Sequence, residues 1–557
     1  MSGIRPDRIR LPQPASPAMV RGERVFVLAA LAAILLLQLE LVLNRPVNWD
    51  EFYHLSLAHA LGQGRLSEVL QVLHVRLLGW VAALPLGEIG QIRVTRLVMF
   101  GFELFTLTAI YALARRFAED RIAVLAPLLY LSAGFVFQHG FSFRADPLVT
   151  ALLMGALWLL AASRLDGKAL AALAVLLALG GFATIKAVLF APTFAAIAWQ
   201  RLRDDPAPRA LTAGLATSLA LAAALFGLLV WWASLGAAPA PTGSAASTVK
   251  ASQSMLLAEG LFPRWHYLLL MIGTAPVFAL ALAVSLARLA KDKALPRLML
   301  AGLILPLASV VFYRNAFPYF YAFILAPVVV GILPGIAWLA QRYGARSLAG
   351  IAVLACVVLS AVTPRAVLAD QQAVLREVHR LFPQPAAYFD FAGMVAPFPK
   401  ANSFMSTWGQ TRYRNGETES YRAAMARLNV PLLLANNDVL VRNQSPGGPA
   451  WEILPDDAKA LREGYVQHWG PIWLAGQRFA AGSAPREFTI HAAGDYTLLG
   501  EAALIDGLPV RPGAVIRLAK GSHRFAPLTG GETVLRWGKD LPQPLSPPPA
   551  DIPFKDF

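Results

Sequence analysis

The run RVFVLAALAAILLLQLELVL at residues 24–43 is followed directly by the polar stretch NRPVNWDEFYH at residues 44–54. An apolar run of this length is sufficient to cross a bilayer as one helix. It ends without the small-residue pattern of a signal-peptidase site. We therefore expect an uncleaved first span, preceded by a cytoplasmic tail at residues 1–24. The polar stretch begins an external loop whose main feature is the adjacent carboxylate pair Asp50 and Glu51.

The composition of the whole chain is that of a membrane protein. Of 557 residues, 56% are hydrophobic and only 15% are charged, and the mean hydropathy is +0.52. Such a chain is too apolar for a single water-soluble core. The net charge of +15 could indicate nucleic acid, but much of the Lys and Arg lies in short segments between apolar runs, following the positive-inside rule. We therefore expect the protein to contact membrane lipids and not to bind nucleic acid. The single cysteine, Cys356, excludes an intrachain disulfide.

Apolar runs near bilayer length recur up to residue 363 and give about eleven predicted spans. After residues 24–43 they lie at residues 92–114, 121–140, 147–163, 169–185, 187–200, 210–235, 266–289, 297–314, 319–340 and 347–363. If the N-terminus is cytoplasmic, the connections that contain basic clusters, such as residues 115–121 and 201–209, all fall inside. Residues 44–91 and everything after Pro364 then lie on the opposite face.

The composition changes after Pro364, where a domain of ordinary polarity is predicted. At residues 365–450 strand-like runs alternate with a helical run, which indicates an α/β region. Residues 451–540 have short strands separated by Gly-containing turns, as in a β-sandwich. A Pro-rich, irregular tail is expected at residues 541–557. The predicted fold class is thus a polytopic α-helical membrane protein, transmembrane at residues 25–364, with a C-terminal extracytoplasmic α/β plus β-sandwich-like domain.

Three short motifs fall on the predicted outer face. They are NWDE at residues 48–51, FRADP at residues 143–147 and RNAFPYFY at residues 314–321. In the first external loop, residues 50–61 and 69–80 have apolar side chains at helical spacing but are short for a span. They are predicted to lie as helices in the membrane interface.

This arrangement resembles the GT-C superfamily of polyprenyl-phosphate-sugar-dependent glycosyltransferases, in particular the branch of protein O-mannosyltransferases and lipid A aminoarabinose transferases. The resemblance rests on the three motifs and on the sequence RVTR at residues 93–96, which begins the second span, and it covers residues 20–365 as topology. It implies a GT-C-like fold, a polyprenyl-phosphate sugar donor and a lipid, glycan or protein acceptor. It also implies a place in the bacterial inner membrane, with the active site on the periplasmic side.

The carboxylates have both a catalytic and a structural interpretation. An inverting transfer from a glycosyl phosphate requires one carboxylate to deprotonate the acceptor and cations to stabilise the departing phosphate. The resemblance assigns the base to Asp50, with Glu51 as assistant or alternative, and Asp146 is a candidate second carboxylate near acceptor or sugar. Alternatively, Asp50 and Glu51 cap a helix beginning near Phe52, and Asp146 caps the helix that follows it.

Cations near the interface are candidates for binding the donor phosphate. They are Lys186, Arg314 and Arg144, with His54 and His139 as further candidates. Lys186 lies in an apolar region, where a charge is costly unless it is paired or solvated, although a lysine there can also snorkel to the headgroups. Further possible substrate contacts are His54, Tyr53, Lys250, Tyr319 and Tyr321. The two late tyrosines also fit an aromatic belt, and Lys250 lies in a small-residue stretch typical of a linker.

Other classes stay open at this stage. A polytopic transporter fits the hydropathy, although charge favours one face of this chain, and a membrane-anchored scaffold would explain the external domain. An O-antigen-ligase-like enzyme would use a diphosphate-linked donor instead. The acidic pair lacks a spaced Asp-x-Asp pattern, so no metal or other cofactor is expected. Asp50, Glu51 and Asp146 could still offer oxygen ligands to Mg or Mn.

Overall fold

The computed structural model describes residues 17–238, 260–292, 296–445, 448 and 450–554. Within these ranges the chain is helical as far as Leu381, and every described strand follows that point. The helices of the first part are α1 Pro17–Asn44, α2 Trp49–Gly62, α3 Leu73–Leu78, α4 Glu88–Phe117, α5 Asp120–Ala123, α6 Leu125–Leu131, α7 Gly134–His139, α8 Ala145–Ala162, α9 Gly167–Ala183, α10 Ala191–Asp204, α11 Pro208–Leu235, α12 Trp265–Thr274, α13 Pro276–Lys291, α14 Arg297–Ile304, α15 Pro318–Gly331, α16 Leu333–Tyr343, α17 Ala345–Ala361 and α18 Ala366–Leu381. Shorter 3-10 helices lie at Gly79–Ala83, Ile185–Phe190 and Leu305–Val311.

Four helices of the described ranges are long and apolar enough to cross a membrane. They are Arg21–Asn44 within α1, and α4, α8 and α11. The number rises to seven if each of three bent pairs, α12 with α13, α15 with α16 and α17 with α18, forms one span. The chain is thus a multi-pass helical membrane protein, as predicted, but the expected count of eleven spans is not confirmed.

Breaks and short helices account for this difference: Gly167–Ala183, Ala191–Asp204 and Arg297–Val311 are each shorter than 18 residues. The predicted span at residues 121–140 consists of the three short helices α5, α6 and α7. The chain bends by 100° between α12 and α13 and by 70° between α15 and α16. Pro276 and Pro334 lie just after these bends, where proline removes a backbone hydrogen bond and clashes with the preceding turn. Hydropathy alone measures the length of an apolar run and not its straightness.

Helix α15 forms the centre of the membrane part. All of its 14 residues are buried, as expected of a helix that is apolar on every side. It packs against α6, α7, α8 and α14. Its first turn, beginning at Pro318, contains Tyr319 and Tyr321, so the central helix brings the third sequence motif to the N-terminal end of α8.

The C-terminal part is built on two sheets. Its strands are β1 Tyr388–Phe389, β2 Leu432–Leu434, β3 Tyr465–Trp469, β4 Ile472–Phe479, β5 Arg486–Ile490, β6 Gly494–Gly500, β7 Ala503–Ile505, β8 Leu508–Val510, β9 Val515–Leu518, β10 Gly521–Pro527 and β11 Thr533–Trp537. Its helices are α19 Thr407–Arg414, α20 Tyr421–Arg427, α21 Asp438–Gln444 and α22 Pro455–Gly464.

One sheet has seven strands in the order β1, β2, β4, β11, β6 and β9, with β3 also paired to β4. The second has four, in the order β5, β10, β7 and β8. Only the β1 and β2 pair is parallel among the described strands. Phe479 stacks on Phe525 with 3.7 Å between ring centroids, so the two sheets pack face to face in this region. Because β2 pairs with β4, strands from both sides of residue 450 belong to one sheet.

Helix α18 and the C-terminal domain pack on the loop between α1 and α4. The Gln371 side chain on α18 donates to the Val47 carbonyl at 2.8 Å and accepts the Val47 N–H at 2.9 Å. Phe404 stacks on Tyr53 at 4.5 Å, and Phe391 contacts Trp49 edge to face at 5.4 Å. The loop is therefore held between the membrane helices and the C-terminal domain.

Candidate active site

The acidic pair lies in the first turn of α2. Asn48 is the N-cap: its side-chain oxygen accepts the Asp50 N–H at 3.0 Å, and Glu51 accepts the Asn48 N–H at 3.1 Å. This reciprocal pair is a capping box. The capping interpretation therefore holds for Glu51. Asp50 also lies in the first turn, where a negative charge suits the helix N-terminus, but its carboxylate accepts a hydrogen bond from a cation.

Both oxygens of Glu51 are occupied by structural partners. Arg96 on α4 donates to them at 2.8 and 2.5 Å, and the Phe143 N–H donates at 3.0 Å. The side chains of Glu51 and Arg96 are 1% and 2% exposed. Burial raises the pKa of Glu51, but the Arg96 charge and the hydrogen bonds outweigh it, so the pKa lies below its usual value. Glu51 thus ties α2, α4 and the segment before α8 together.

Asp50 begins a line of alternating charges. Its carboxylate accepts a hydrogen bond from Arg144, whose Nε lies 3.4 Å from Asp146 Oδ2. The other oxygen of Asp146 accepts a hydrogen bond from the Lys186 ammonium. We call Asp50, Arg144, Asp146 and Lys186 the ion chain. Its side chains are 16%, 10%, 5% and 12% exposed, in that order, so all four are largely shielded while Asp50 keeps the most solvent access.

Tyr319 packs against the cations of the ion chain. Its ring centroid lies 3.3 Å from the Arg144 guanidinium carbon and 5.3 Å from the Lys186 nitrogen. Contact of an aromatic face with a cation is attractive and holds the guanidinium in place. The motifs at residues 48–51, 143–147 and 314–321, together with Lys186, therefore meet at one point.

Asp146 does not cap its helix, and Lys186 is held in an ion pair within the protein. The N-cap of α8 is Arg144, with no side-chain capping bond, and the Asp146 carboxylate is bound to cations instead. Lys186 is paired with Asp146 and its side chain is only 12% exposed, so its charge is balanced within the protein. Each charge in the ion chain is balanced by a neighbour, as buried charges require.

The other predicted residues lie around this centre. Tyr53 is half-buried against Phe404, and His54 contacts the His74 ring at 4.3 Å. Tyr321 is buried against Phe135 at 5.4 Å. Arg314 is half-buried in the turn before α15. Tyr319 thus contacts the ion chain directly, and Tyr53, His54, Tyr321 and Arg314 belong to the surrounding elements.

Two further predictions involve residues away from the ion chain. His139, a further candidate for the phosphate, lies against the Arg45 guanidinium at 3.1 Å. Lys250 falls outside the described residues.

Two residues of this region were given no role from the sequence. Arg96 was noted only as part of RVTR, although a charge in a predicted span signals a buried partner. His74 lies in the second interfacial helix and is fully buried. An isolated histidine carries no sequence signal that could distinguish such a position from a solvated one.

The carboxylates do not fit a resident divalent ion in this arrangement. Across the described ranges, no group of three or more His, Cys, Asp or Glu side chains is arranged to hold a metal. Arg144 binds both Asp50 and Asp146, so an ion bound between these carboxylates would have to displace its guanidinium.

No protein-family model and no curated protein matches the sequence significantly. The structure does match solved proteins, and at these low identities the match shows a shared fold. It is similar to ArnT from Cupriavidus metallidurans bound to undecaprenyl phosphate, with a TM-score of 0.53 and 14% identity over 70% of this chain and 88% of that chain. The GT-C-like fold predicted from the sequence is therefore confirmed.

Two further solved structures have lower TM-scores. AglB from Archaeoglobus fulgidus, in complex with an inhibitory peptide and a dolichol-phosphate, gives 0.47 at 11% identity over 89% of this chain and 76% of that chain. The arabinosyltransferase EmbB from Mycobacterium smegmatis gives 0.43 at 12% identity over 96% and 66%. At these scores neither adds to the argument.

Proposed function

We propose that this protein is a membrane glycosyltransferase that moves a sugar from a polyprenyl-phosphate-linked donor to an acceptor hydroxyl. The observation that carries the proposal is the ion chain, in which two carboxylates and two cations meet on a GT-C fold. The similar ArnT structure holds undecaprenyl phosphate, which supports the same class of donor for this chain.

In this proposal Arg144 and Lys186 bind the donor phosphate. Both are directed by Asp146 and packed under Tyr319, so they are oriented before the donor arrives. Hydrogen bonds from a cation to a phosphate are roughly twice as strong as neutral ones. They also stabilise the charge that develops on the phosphate as it leaves. Arg314 is proposed as a further phosphate ligand.

Asp50 is the proposed general base. It is the most exposed member of the ion chain, whereas Glu51 has no free oxygen for a proton and positions the loop. When the phosphate engages Arg144, Asp50 loses its positive partner and becomes a stronger base. It then accepts the acceptor's hydroxyl proton while that oxygen bonds to the anomeric carbon. The bond from that carbon to the phosphate oxygen breaks, the phosphate keeps the electron pair, and the anomeric configuration is inverted.

The reaction is proposed for the periplasmic face of the bacterial inner membrane, with a lipid, glycan or protein as acceptor. No step passes through a metal, so EDTA should leave activity unchanged, and activity restored only by Mg or Mn would contradict this. Transfer from a polyprenyl monophosphate but not from a diphosphate donor would exclude the ligase-like alternative.

The test uses the purified full-length protein in detergent with a polyprenyl-phosphate sugar. Asp50→Asn keeps the shape of the side chain but cannot accept the proton. Turnover should therefore fall by a factor of about 100 to 10,000, with donor binding retained. The matched control is Asp438→Asn, the same change at an exposed position in the first turn of α21.

The outcomes distinguish a wrong assignment of the general base from a failure of the proposed function. If Asp50→Asn retains full turnover and Asp146→Asn is inactive, the base is misassigned. If the wild-type protein transfers no sugar from any lipid-linked donor, the transferase proposal fails and the transporter alternative takes its place.

A further inference from the structure

Two histidines beside the ion chain contain unsatisfied ring nitrogens. His74 on α3 is 0% exposed, and neither of its nitrogens has a partner among the described residues. The same holds for Nδ1 of His54 on α2. Their rings meet edge to face at 4.3 Å, and Phe143 packs against both at 6.0 and 5.7 Å. Buried nitrogens without partners reduce stability. This arrangement therefore suggests a ligand that supplies the missing hydrogen bonds.

The histidine pair adjoins the proposed phosphate site. His54 is four residues after Asp50 on α2, so the two side chains share a helix face. Phe143, which packs on both rings, immediately precedes Arg144 of the ion chain. α3 also contacts α8, which carries Asp146 in its first turn, and α9, which shortly precedes Lys186. A ligand bound to the cations would thus have its next chemical group near the histidines.

The protonation of the pair restricts the ligand. Burial lowers the pKa of His54 to about 4, against the opposing charges of Asp146 and Glu51. Burial also lowers the pKa of His74 well below its ordinary value, and His54 and Lys186 add to the effect. Both rings are then neutral near pH 7, each with one N–H donor and one acceptor nitrogen. A hydroxyl both donates and accepts, whereas a phosphate oxygen only accepts and an ammonium group only donates.

We propose that His54 and His74 form a subsite for the hydroxyl groups of the donor sugar. The inference rests on the proposed function, because it takes the ion chain as the phosphate site. In a glycosyl phosphate the sugar is bonded directly to the phosphate, so ring hydroxyls fall within a few ångströms of Lys186 and Arg144. The sugar and the phosphate are then recognised by separate groups, one neutral and one charged.

The test compares two ligands of the full-length protein in detergent: polyprenyl monophosphate with a sugar and the same lipid without one. His74→Phe keeps the aromatic ring and its packing but removes both nitrogens. It should weaken binding of the sugar-bearing lipid by about tenfold and leave the sugar-free lipid unchanged. Thermal stability should be equal or higher, because an unsatisfied buried polar group is replaced by an apolar one.

Two further variants complete the experiment. His74→Gln keeps a donor and an acceptor and should recover part of the lost affinity. His468→Phe removes a half-buried histidine with an unsatisfied nitrogen in the C-terminal domain and should affect neither ligand.

The inference is overturned if His74→Phe keeps the wild-type preference between the two lipids, weakens both equally, or changes only the KM for the acceptor. Lys186→Gln should weaken both lipids alike. If the wild-type protein binds neither lipid, the proposed function itself is wrong, and the inference that rests on it is wrong as well.

Discussion

Asp50 and Glu51 are adjacent in the sequence, yet their carboxylates have different surroundings. Glu51 is 1% exposed and receives hydrogen bonds from Arg96, Phe143 and Asn48. Asp50 is 16% exposed and is bound to one arginine. Successive residues of a helix point about 100° apart, so one carboxylate enters the protein and its neighbour reaches the site. The same residue class thus supplies a structural anchor and a candidate base.

Replacement of Glu51 by Gln should destabilise the protein. Removing one partner of a buried ion pair leaves the other charge uncompensated and typically costs about 3–5 kcal/mol. We expect a clearly lower midpoint of thermal unfolding in detergent for Glu51→Gln than for the wild type. Asp50→Asn is the control and should unfold near the wild-type midpoint. Equal midpoints for the two variants would contradict the structural role of Glu51.

The lowered pKa of Glu51 makes the thermal stability of the protein depend on pH. Because its folded-state pKa is lowered from 4.5, its stabilising effect is complete above that value and is lost as the pH falls through the folded-state pKa. The wild-type midpoint should therefore drop towards that of Glu51→Gln in acid. A constant difference between the two proteins across this range would show that the carboxylate does not carry the effect.

The phosphate cations can be tested separately. Lys186→Gln should reduce affinity for polyprenyl phosphate by a factor of about 10 to 150, since a charge-assisted hydrogen bond of roughly 1.5–3 kcal/mol is lost. Arg314→Gln tests the additional ligand in the same binding measurement. Arg524→Gln, on β10 of the C-terminal domain, serves as a control for the loss of one positive charge. Unchanged affinity in both site variants would remove these residues from the phosphate site.

At this scale the sequence predicted which charged residues to examine but not how they pair. A predicted outer face was enough to select Asp50, Arg144, Asp146 and Lys186. The pairing of Arg144 with Asp50, 94 positions apart, depends on which helices approach one another. Apolar periodicity gives the buried face of a helix and does not specify the helix that covers it.

At the scale of elements, the C-terminal tail extends back to the loop that carries Asp50. The Gln371 side chain that holds Val47 also donates to the Pro553 carbonyl at 2.9 Å. Phe554 then contacts Phe52 at 5.6 Å and Phe391 at 6.0 Å. Hydropathy predicted an irregular, Pro-rich tail, and a tail without regular structure gives no sequence pattern for such contacts. Its contacts with Phe52 and Gln371 suggest that it holds the loop in place.

Loosening this contact should affect turnover more than donor binding. Gln371→Leu removes hydrogen bonds to Val47 and Pro553, and small displacements of a reacting group reduce rates strongly. We expect kcat to fall by about tenfold or more with unchanged affinity for polyprenyl phosphate. Gln444→Leu, which removes a bond to the Leu461 carbonyl within the C-terminal domain, is the matched control. A loss of donor affinity in Gln371→Leu would show that the tail acts on the phosphate site instead.

At the scale of the whole molecule, α1 runs from the first basic connection at one end of the membrane part to the candidate site at the other. At its N-terminal end, Glu23 accepts a hydrogen bond from Arg121 at 2.5 Å, and Arg24 lies 3.3 Å from Asp120. At its C-terminal end the chain enters the loop that carries Asp50. Helix α4 runs the other way, from Arg96 near the site to Arg115 near Asp120. The first basic connection and the candidate site therefore lie at opposite ends of these helices.

The C-terminal domain should lie on the same side of the membrane as the candidate site, because Gln371 and Phe404 contact the loop directly. The positive-inside rule places the basic end in the cytoplasm, and thus the site and domain outside. Alkaline phosphatase, which is active only outside the bacterial cytoplasm, should therefore be active when fused after Gln384 and inactive when fused after Phe117. The reverse pattern of activity would mean that the protein has the opposite orientation in the membrane. The candidate site and the C-terminal domain would still lie on the same side. Activity at both positions, with matched expression of the two fusions, would contradict the assignment of α4 as a membrane-crossing helix.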